Sequence, residues 1–503
     1  GQFAFHYDSL GRLLSDSSAA GRIQFLARVE TDTSSTVTHT DDLGRATTYR
    51  LDRFNRLEEL RTVTDAAGLV TTSRSYDNDS TVTTMPDGTR MTVTNTGDMR
   101  FGAQAPVLKS AETRLPSGLT SVVSASRSAV MTDSTNPFTL LSLRDSVRVN
   151  GRAYTSLYTR NTRTLLTTSP MGRTTTTVYD AAGRVLSSTV PGILPATFQY
   201  DARGRLERAQ SGGRVSTFAY DARGRLLSTT DPLGRRDSLF YDDADRLTRR
   251  VLPDGRAVTF AYDSAGNLTR VTPPGKPAHT FTYAPADRLA SYNPPSAGLP
   301  QSATGYSYNT AGQVTAIRRP TGDSIAFAYD AAGRPSAVNF DRGTIGFVFN
   351  GLTGNLSSLS GPGGTGLAFT YDGSLPTSVT WSGPVSGSTA VTYNNDFRVI
   401  GQTVNGTHAV SFGYDLDGLL TQAGALGLRR SAQNGRLDAD SLVVGGVAQR
   451  TAYGYDAHGA LSGMASTQGS DTLFATQYLR DSLSRIVQLT ERLGGVPQVI
   501  AFT

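Results

Sequence analysis

The sequence contains no cysteine, one tryptophan and only two lysines among its 503 residues. The absence of cysteine excludes a disulfide framework, cysteine-ligated zinc, iron–sulfur clusters and a thiol nucleophile. No apolar run approaches the length of about 18 residues that a membrane span needs, so we expect none in this chain. Residues 1–14 have neither a basic segment nor an apolar one, so we expect no signal peptide within the chain.

Positive charge is spread along the whole chain. There are 48 basic and 42 acidic residues, which gives a formal net charge of +6, and all the basic residues except Lys109 and Lys276 are arginine. A nucleic-acid binder usually concentrates its basic residues on one face or in one tail. A net charge of +6 is also a weak field for a chain of this size. We therefore expect no nucleic-acid partner.

A seven-residue motif recurs through most of the chain. It reads Tyr-Asp-x-x-Gly-Arg-Leu, and clear copies begin at Tyr179, Tyr200 and Tyr220. Successive motif positions from Tyr179 to Tyr414 are 20 to 25 residues apart, and most often 21. Self-similarity at a fixed period is the signature of a repeat architecture, in which each unit packs on its neighbours in the chain.

Each repeat predicts two strands and two turns. Phe218 and Tyr220 are two residues apart, which places both rings on one face of a strand. The following Asp can accept backbone hydrogen bonds in a tight turn, and the Gly three residues later supplies the positive φ that closes a hairpin. A second turn with Pro and Gly, such as Pro170-Met-Gly172, separates the units. No window shows a sustained 3.6-residue apolar period, so we expect almost no helix.

The number of units determines the expected architecture. Fifteen or so units predict roughly thirty strands, with more from the divergent part, whereas a twisted open sheet rarely exceeds about ten without curling or splitting. We therefore expect an all-β fold of continuous antiparallel β-hairpin repeats that curl into a spiral sheet, a hollow and barrel-like shell. A propeller is the rival architecture, but its blades need about 40–50 residues, which is twice the observed period.

The tandem Tyr-Asp-x-x-Gly-Arg-Leu motif resembles the RHS/YD-repeat family. This family includes bacterial RHS toxins, the C components of insecticidal toxin complexes, wall-associated proteins and teneurin-like shells. The resemblance implies a β-sheet shell that surrounds or carries another polypeptide, such as a C-terminal toxin. Toxin-type members have a self-cleaving aspartyl protease after the repeats, but its Asp-Pro-x-Gly-Leu-type signature is absent after Gly459, so no protease residue is carried over.

The motif is not uniformly regular along the chain. We divide the chain into degenerate repeats at 1–90, a divergent β segment of the same sheet at 91–169, regular repeats of about 21 residues at 170–461, and degenerate repeats at 462–503. Both ends read as the middle of a strand pattern. We therefore expect an array that continues beyond the chain, as part of a longer polypeptide that holds any signal or effector.

The motif residues are the candidate site, and we predict a structural role for them. Catalysis needs one constellation in one place, whereas this set recurs about fifteen times. We expect the Asp to form the turn and the Arg to pair with Asp or with carbonyls of adjacent turns. We assign no catalytic, cofactor-binding or metal-binding residue, because the five histidines are scattered. The assigned motif residues are Tyr179, Asp180, Gly183, Arg184, Tyr200, Asp201, Gly204, Arg205, Tyr220, Asp221, Gly224, Arg225, Tyr262, Asp263, Gly266, Tyr329, Asp330, Gly333 and Arg334.

These observations favour an architectural function over an enzymatic one. The first hypothesis is a shell or scaffold that encloses or carries another part of the same larger polypeptide, including a C-terminal effector. The alternatives are an extracellular adhesion or carbohydrate-binding module, and a surface protein that forms fibres or tubes through neighbouring subunits at its sheet edges. The resemblance implies a secreted or cell-surface protein, and we expect a bacterial source, since the arginine bias is typical of a high-GC bacterial gene.

Overall fold

The computed structural model describes residues 3–18, 21–295, 303–494 and 496–502. Gly1, Gln2 and Thr503, on which the expected continuation of the array depends, lie outside the described residues. The described chain forms 45 strands and one short 3₁₀ helix, Pro362–Gly364. The prediction of an all-β fold with almost no helix is confirmed.

Every strand pairs antiparallel with the next strand along the chain, so the sheet is one continuous meander. The first fourteen strands include the two longest, with 13 and 12 residues. They are β1 (Ala4–Tyr7), β2 (Leu13–Ser17), β3 (Ile23–Glu30), β4 (Ser34–Asp41), β5 (Ala46–Arg53), β6 (Glu59–Thr64), β7 (Val70–Ser75), β8 (Ser80–Thr84), β9 (Arg90–Asp98), β10 (Gly102–Arg114), β11 (Thr120–Met131), β12 (Leu140–Val149), β13 (Arg152–Thr159) and β14 (Thr164–Thr168).

The strands of the regular repeats are shorter, mostly five to seven residues. They are β15 (Thr174–Tyr179), β16 (Val185–Thr189), β17 (Ala196–Tyr200), β18 (Leu206–Ser211), β19 (Arg214–Tyr220), β20 (Leu226–Thr230), β21 (Arg236–Tyr241), β22 (Leu247–Val251), β23 (Ala257–Tyr262), β24 (Leu268–Thr272), β25 (His279–Ala284), β26 (Arg288–Asn293), β27 (Thr304–Tyr308), β28 (Val314–Arg318), β29 (Ser324–Tyr329) and β30 (Pro335–Phe340).

The remaining strands complete the sheet. They are β31 (Gly343–Phe349), β32 (Leu356–Ser360), β33 (Gly366–Asp372), β34 (Leu375–Ser382), β35 (Gly387–Tyr393), β36 (Val399–Val404), β37 (His408–Tyr414), β38 (Leu420–Ala423), β39 (Leu426–Arg430), β40 (Leu437–Val444), β41 (Val447–Tyr455), β42 (Leu461–Gln468), β43 (Asp471–Arg480), β44 (Ile486–Leu493) and β45 (Val496–Ala501).

The two faces of the sheet differ in side-chain size. In β19, Phe218 and Tyr220 lie on one face, which we call the tyrosine face, because side chains alternate along a strand. Ala219 lies on the opposite face, where it pairs with Ser228 of β20, and we call this the small-residue face. The register shifts between Ala219 and Tyr220, so a bulge precedes the turn. Because the sheet is continuous, each face stays on one side of the wall.

Two kinds of turn form the two edges of this ribbon of strands. Motif turns, which carry the repeated Asp and Gly, follow odd-numbered strands: Asp180–Arg184 joins β15 to β16. Connecting turns follow even-numbered strands: Ser169–Arg173 joins β14 to β15. In the described residues, the motif turns therefore lie along one edge of the ribbon, and the connecting turns lie along the other.

The ribbon coils on itself. Arg173 in the connecting turn after β14 contacts Asp417 in the motif turn after β37 and Ser431 in the motif turn after β39. These partners are 23 and 25 strands further along, so one round takes about 24 strands. At a strand spacing of about 4.8 Å, one round has a perimeter of about 115 Å and a backbone diameter of about 37 Å. The sheet is open, and the predicted spiral is confirmed.

The wall has almost no conventional core. Leu115 and Ala439 are the only buried hydrophobic residues in the described part of the chain. The accessible surface is 28853 Å², whereas a compact protein of 53.4 kDa would expose about 18,000 Å². This excess shows that solvent reaches both faces of a single-layer sheet. The fold is consequently held by backbone ladders, by turns and by contacts between rounds.

Candidate functional site in the motif turns and the seam between rounds

The motif Asp closes its own turn. In the first regular unit, Asp180 Oδ1 accepts hydrogen bonds from the backbone N–H groups of Ala182 (2.8 Å) and Arg184 (2.9 Å). Its Oδ2 accepts one from Arg184 Nε at 2.6 Å. The Arg184 backbone bond is the largest cause that lowers the pKa of Asp180 below its usual value. The same closure recurs at Asp201–Arg205, Asp221–Arg225, Asp242–Arg246, Asp330–Arg334 and Asp481–Arg485.

The motif Tyr connects each unit to the unit before it. Tyr200 donates its hydroxyl hydrogen to the carbonyl of Val185 at 2.9 Å, and the Arg184 guanidinium lies 4.7 Å from the centroid of its ring. A cation over an aromatic face stabilises by roughly 0.5–1 kcal/mol at exposed sites. The hydroxyl bond recurs from Tyr220 to Leu206, Tyr241 to Leu226, Tyr262 to Leu247, Tyr283 to Leu268, Tyr308 to Leu289, Tyr329 to Val314 and Tyr414 to Val399.

The motif Gly has a second role besides its backbone conformation. Gly183 and Gly204 have nearly the same φ, 80° and 82°. A Cβ on Gly204 would lie 2.8 Å from Nη1 of Arg184, whereas a Cβ on Gly183 would meet nothing within 4 Å. Arg184 therefore reaches forward and fills the space beside the glycine of the next turn. The same notch is occupied at Gly312 by Arg288, at Gly418 by Arg398 and at Gly459 by Arg436.

Two units have an arginine where the motif has tyrosine. Arg430 Nε donates to the carbonyl of Leu420 at 2.9 Å, which is the bond that a tyrosine hydroxyl makes elsewhere. Arg480 donates in the same way to Leu461 O, from Nε at 3.3 Å and Nη2 at 3.1 Å. The turn of this last unit, Asp481–Arg485, begins directly after Arg480. The hydrogen-bonded position is thus kept although the aromatic ring is lost.

The edges of successive rounds meet in a line of turn-to-turn contacts, which we call the seam. Along the seam, the connecting turns face motif turns. The first such pair joins turn 41–45 to turn 309–313, and the last joins turn 211–214 to turn 481–485. Each connecting turn in the line therefore faces motif turns of the next round. The ribbon thus stacks with its two unlike edges together, and this contact holds the coil closed.

Asp417 is the best-satisfied carboxylate on the seam. It accepts hydrogen bonds from Ser169 Oγ (2.8 Å), from the backbone N–H of Met171 (2.9 Å) and from Arg173 Nη1 (2.5 Å). Arg173 also pairs with Asp415 at 2.9 Å, and the side chains of Arg173 and Asp417 are only 10% and 11% exposed. Burial raises the pKa of Asp417, but these hydrogen bonds outweigh it and hold the pKa below its usual value.

Asp396 makes a second set of seam contacts one unit earlier. It accepts a hydrogen bond from Asn150 Nδ2 at 2.5 Å and pairs with Arg152. Here too burial opposes the shift, but the bonds from Arg152 and Asn150 lower the pKa of Asp396. Other contacts along the seam join Arg45 to Gln313, Ser117 to Asp372, Leu194 to Ala457, Pro191 to Asn434, Ser211 to His458, and Arg214 to Ser484.

Sequence reasoning did not identify the seam residues. Asp396, Asp417 and His458 all lie two residues after the first polar residue of their motif turns. The same position holds Arg203 in a first-round turn, and it holds Ala332 in a turn that faces the first round. A polar residue at this position therefore does not distinguish the turns of the seam.

The predicted motif residues form a ladder along the sheet and do not converge on one cleft. Gly333 differs from the motif glycines named above, because an arginine of the first round, Arg45, fills the space beside it. Among the described residues, no three His, Asp or Glu side chains lie close enough to hold a metal ion. In the part of the chain that the structure describes, no helix is long and apolar enough to cross a membrane.

Together these features define a class of protein, a single-layer β wall wound into a spiral by tandem Tyr-Asp turns. The chain belongs to the teneurin YD-shell family, which matches residues 1–498. The predicted membership in the RHS/YD-repeat family is thereby confirmed. Among curated proteins, none matches the chain.

One solved structure shares the fold, and another is similar at a lower score. The crystal structure of TcdB2-TccC3-Cdc42 is similar at a TM-score of 0.53 and 14% identity, over 100% of this chain and 31% of that chain. A crystal structure of TcdB2-TccC3 is similar at a TM-score of 0.45 and 14% identity, over 97% of this chain and 32% of that one. The chain thus spans about a third of the length of these solved chains.

Proposed function

We propose that this chain is the wall of a hollow shell that encloses or carries another polypeptide, such as an effector belonging to the same larger protein. The coiling of a single-layer sheet into stacked rounds is the observation that carries the proposal. At a backbone diameter of about 37 Å, a lumen of roughly 25 Å remains after side chains on the inner face, which is wider than the ~10 Å between packed sheets. One extended polypeptide fits in that space.

The motif residues have an architectural role in this proposal. Asp180, Gly183 and Arg184 shape a turn, and Tyr200 and Gly204 receive the arginine of that turn. Nothing in this arrangement presents a free nucleophile or base to a substrate, because the polar atoms bond to each other. We infer a secreted or cell-surface protein from the family, and the resemblance of the repeat motif to toxin-type RHS proteins supports a role beside a toxin component.

A protease-protection assay tests enclosure. A disordered 40-residue tail with one protease site is attached to the C terminus, and its cleavage rate is compared with that of the same tail free in solution. We expect at least tenfold slower cleavage on the intact shell. Equal rates for the attached and the free tail would remove the support for enclosure.

A matched pair of variants makes the assay specific. Asp417→Ala opens the seam at a carboxylate that is only 11% exposed, whereas Asp243→Ala changes an exposed turn residue away from the seam. The first variant should speed cleavage of the attached tail, and the second should leave the rate unchanged. If Asp417→Ala leaves cleavage of the attached tail as slow as in the unchanged chain, the protection does not come from a wall closed by the seam.

A further inference from the structure

The small-residue face contains a polar cavity of about 490 Å³ on β18–β21 of the first round. Arg208 and Arg236 lie on its two sides, and Thr217, Ser228 and Thr230 lie between them. Ser228 is only 4% exposed, so its side chain forms part of the cavity floor. We call this space the first-round cavity.

The arginines of this cavity differ from the motif arginines. Arg205 and Arg225 are paired with turn aspartates, whereas no carboxylate of the described chain lies within ion-pair distance of Arg208 or Arg236. Glu207 also lines the cavity, but it forms no ion pair there among the described residues. Nε of Arg208 is buried and lacks a hydrogen-bond acceptor. A buried charged donor without an acceptor is costly, so the cavity favours an anionic ligand.

A second cavity repeats this arrangement one round later. It has a volume of about 520 Å³ and lies on β38–β41, with Arg429 and Arg450 at its sides. Both side chains are exposed, and neither has an ion-pair partner in the described chain. Asp440 also lines this cavity, and its carboxylate accepts a hydrogen bond from Tyr453. Ala439, 4% exposed, occupies the floor position, and Ser441 supplies a hydroxyl. We call it the second-round cavity.

The repeat register shows that the two cavities are equivalent. Arg236 and Arg450 each precede the last residue of their strand by five positions, Tyr241 and Tyr455 respectively. Equivalent positions in the repeat thus supply one arginine to each cavity. The second arginine comes from different positions, Arg208 and Arg429. Arg208 Nη2 donates to Gln210 Oε1 at 3.0 Å, whereas its Nε has no acceptor.

The seam brings the two cavities close together. Ser211, at the end of β18 beside the first-round cavity, contacts His458 in the turn after β41 beside the second-round cavity at 3.3 Å. A further cavity of about 420 Å³ lies at this crossing, lined by Arg214 and His458 and by two carboxylates, Asp456 and Asp481, which pair with Arg214 and Arg485. Because both main cavities open on the same face of a continuous sheet, one extended ligand can lie across the seam and reach both.

We propose that this band on the small-residue face binds the carboxylates of an acidic, extended polypeptide. A guanidinium matches the planar, two-oxygen geometry of a carboxylate, and adjacent hydroxyl groups supply further hydrogen bonds. Small side chains between the arginines leave room for a peptide backbone. That the ligand is a polypeptide rests on the proposed enclosing function, whereas the preference for carboxylate rests on the cavities themselves.

Fluorescence anisotropy with labelled decaglutamate and the full chain tests the proposal at low salt. We expect binding that weakens at least tenfold in Arg208→Gln/Arg236→Gln and in Arg429→Gln/Arg450→Gln. The matched control is Arg235→Gln/Arg256→Gln, which removes the same charge from exposed connecting turns. The control should stay within twofold of the unchanged chain. Circular dichroism confirms that each variant is folded.

Three results would overturn the proposal. An equal loss in the control variant would show that only net charge matters. Tighter binding of a labelled thymidine decamer, lost in the same cavity variants, would assign the band to nucleic acid. Displacement of decaglutamate by inorganic phosphate at equal carboxylate and phosphate concentrations would show an anion site without preference for a peptide. The protease-protection assay tests enclosure separately. Weak binding of decaglutamate together with a protected tail would contradict the proposed peptide-binding band but not the enclosing function.

Discussion

Arg173 and Asp417 are 244 residues apart in the chain, yet they form an ion pair in which both side chains are nearly buried. The pair joins a connecting turn of one round to a motif turn of the next. Asp417 also accepts the backbone N–H of Met171 and the hydroxyl of Ser169. One carboxylate thus holds a whole turn of the preceding round, and it is the most informative residue to change.

Loss of Asp417 should destabilise the shell. Asp417→Ala leaves Arg173 and two further donors short of an acceptor, and removing one partner of a buried pair costs about 3 kcal/mol. Urea unfolding followed by circular dichroism measures the change. The variant Asp243→Asn, at a fully exposed turn residue, should lie within about 0.5 kcal/mol of the unchanged chain. Equal unfolding curves for the two variants would contradict the assigned role of the seam pair.

Two glycines separate the steric role of the motif from its conformational role. Gly204→Ala and Gly183→Ala impose the same strain, because their φ values differ by only 2°. Only Gly204→Ala also displaces Arg184 from its notch and from the ring of Tyr200. We expect the lower thermal midpoint for Gly204→Ala, and we expect the difference to vanish when Arg184→Ala is added to both. Identical midpoints in the presence of Arg184 would show that the notch is unimportant.

Arg430, which stands where the motif has tyrosine, should be replaceable by tyrosine. Arg430 donates to Leu420 O as tyrosine hydroxyls do in other units, so Arg430→Tyr should change stability by less than about 1 kcal/mol. Arg430→Leu leaves the carbonyl of Leu420 without this donor and should cost more, about 1–3 kcal/mol. Thermal unfolding of both variants measures this. A larger loss for tyrosine than for leucine would mean that the arginine has another role.

The shell should resist mild acid. Asp180, Asp242 and Asp417 have folded-state pKa values below the usual 3.8. A carboxylate with a lowered folded pKa binds protons more readily when unfolded, so its stabilisation is complete above about 3.8 and is lost as pH falls through the folded value. Thermal midpoints should be nearly level from pH 7 to pH 5 and should fall below pH 4. A cooperative loss of structure between pH 5 and pH 6 would refute this.

Much of the fold follows from local sequence pattern, because the repeat period is also the period of the hairpin. Alternation at Phe218 and Tyr220, with a Gly at the turn, was sufficient to predict strands and turns. The seam was not predicted, because Arg173 and Asp417 lie about twelve units apart and no local pattern connects them. Their juxtaposition depends on how much the sheet bends per strand, which accumulates over 24 strands and is set by bulges and twist.

The seam also determines how the molecule yields to force. Within a round, neighbouring strands share backbone ladders, whereas rounds are joined mostly by side chains such as Arg152 with Asp396, and by few backbone bonds such as Leu194 to Ala457. A load along the strand direction would part the rounds before any hairpin tears. The coil would then unwind while the strand pairs within each round stay intact. The released sheet would coil again when the tension is removed.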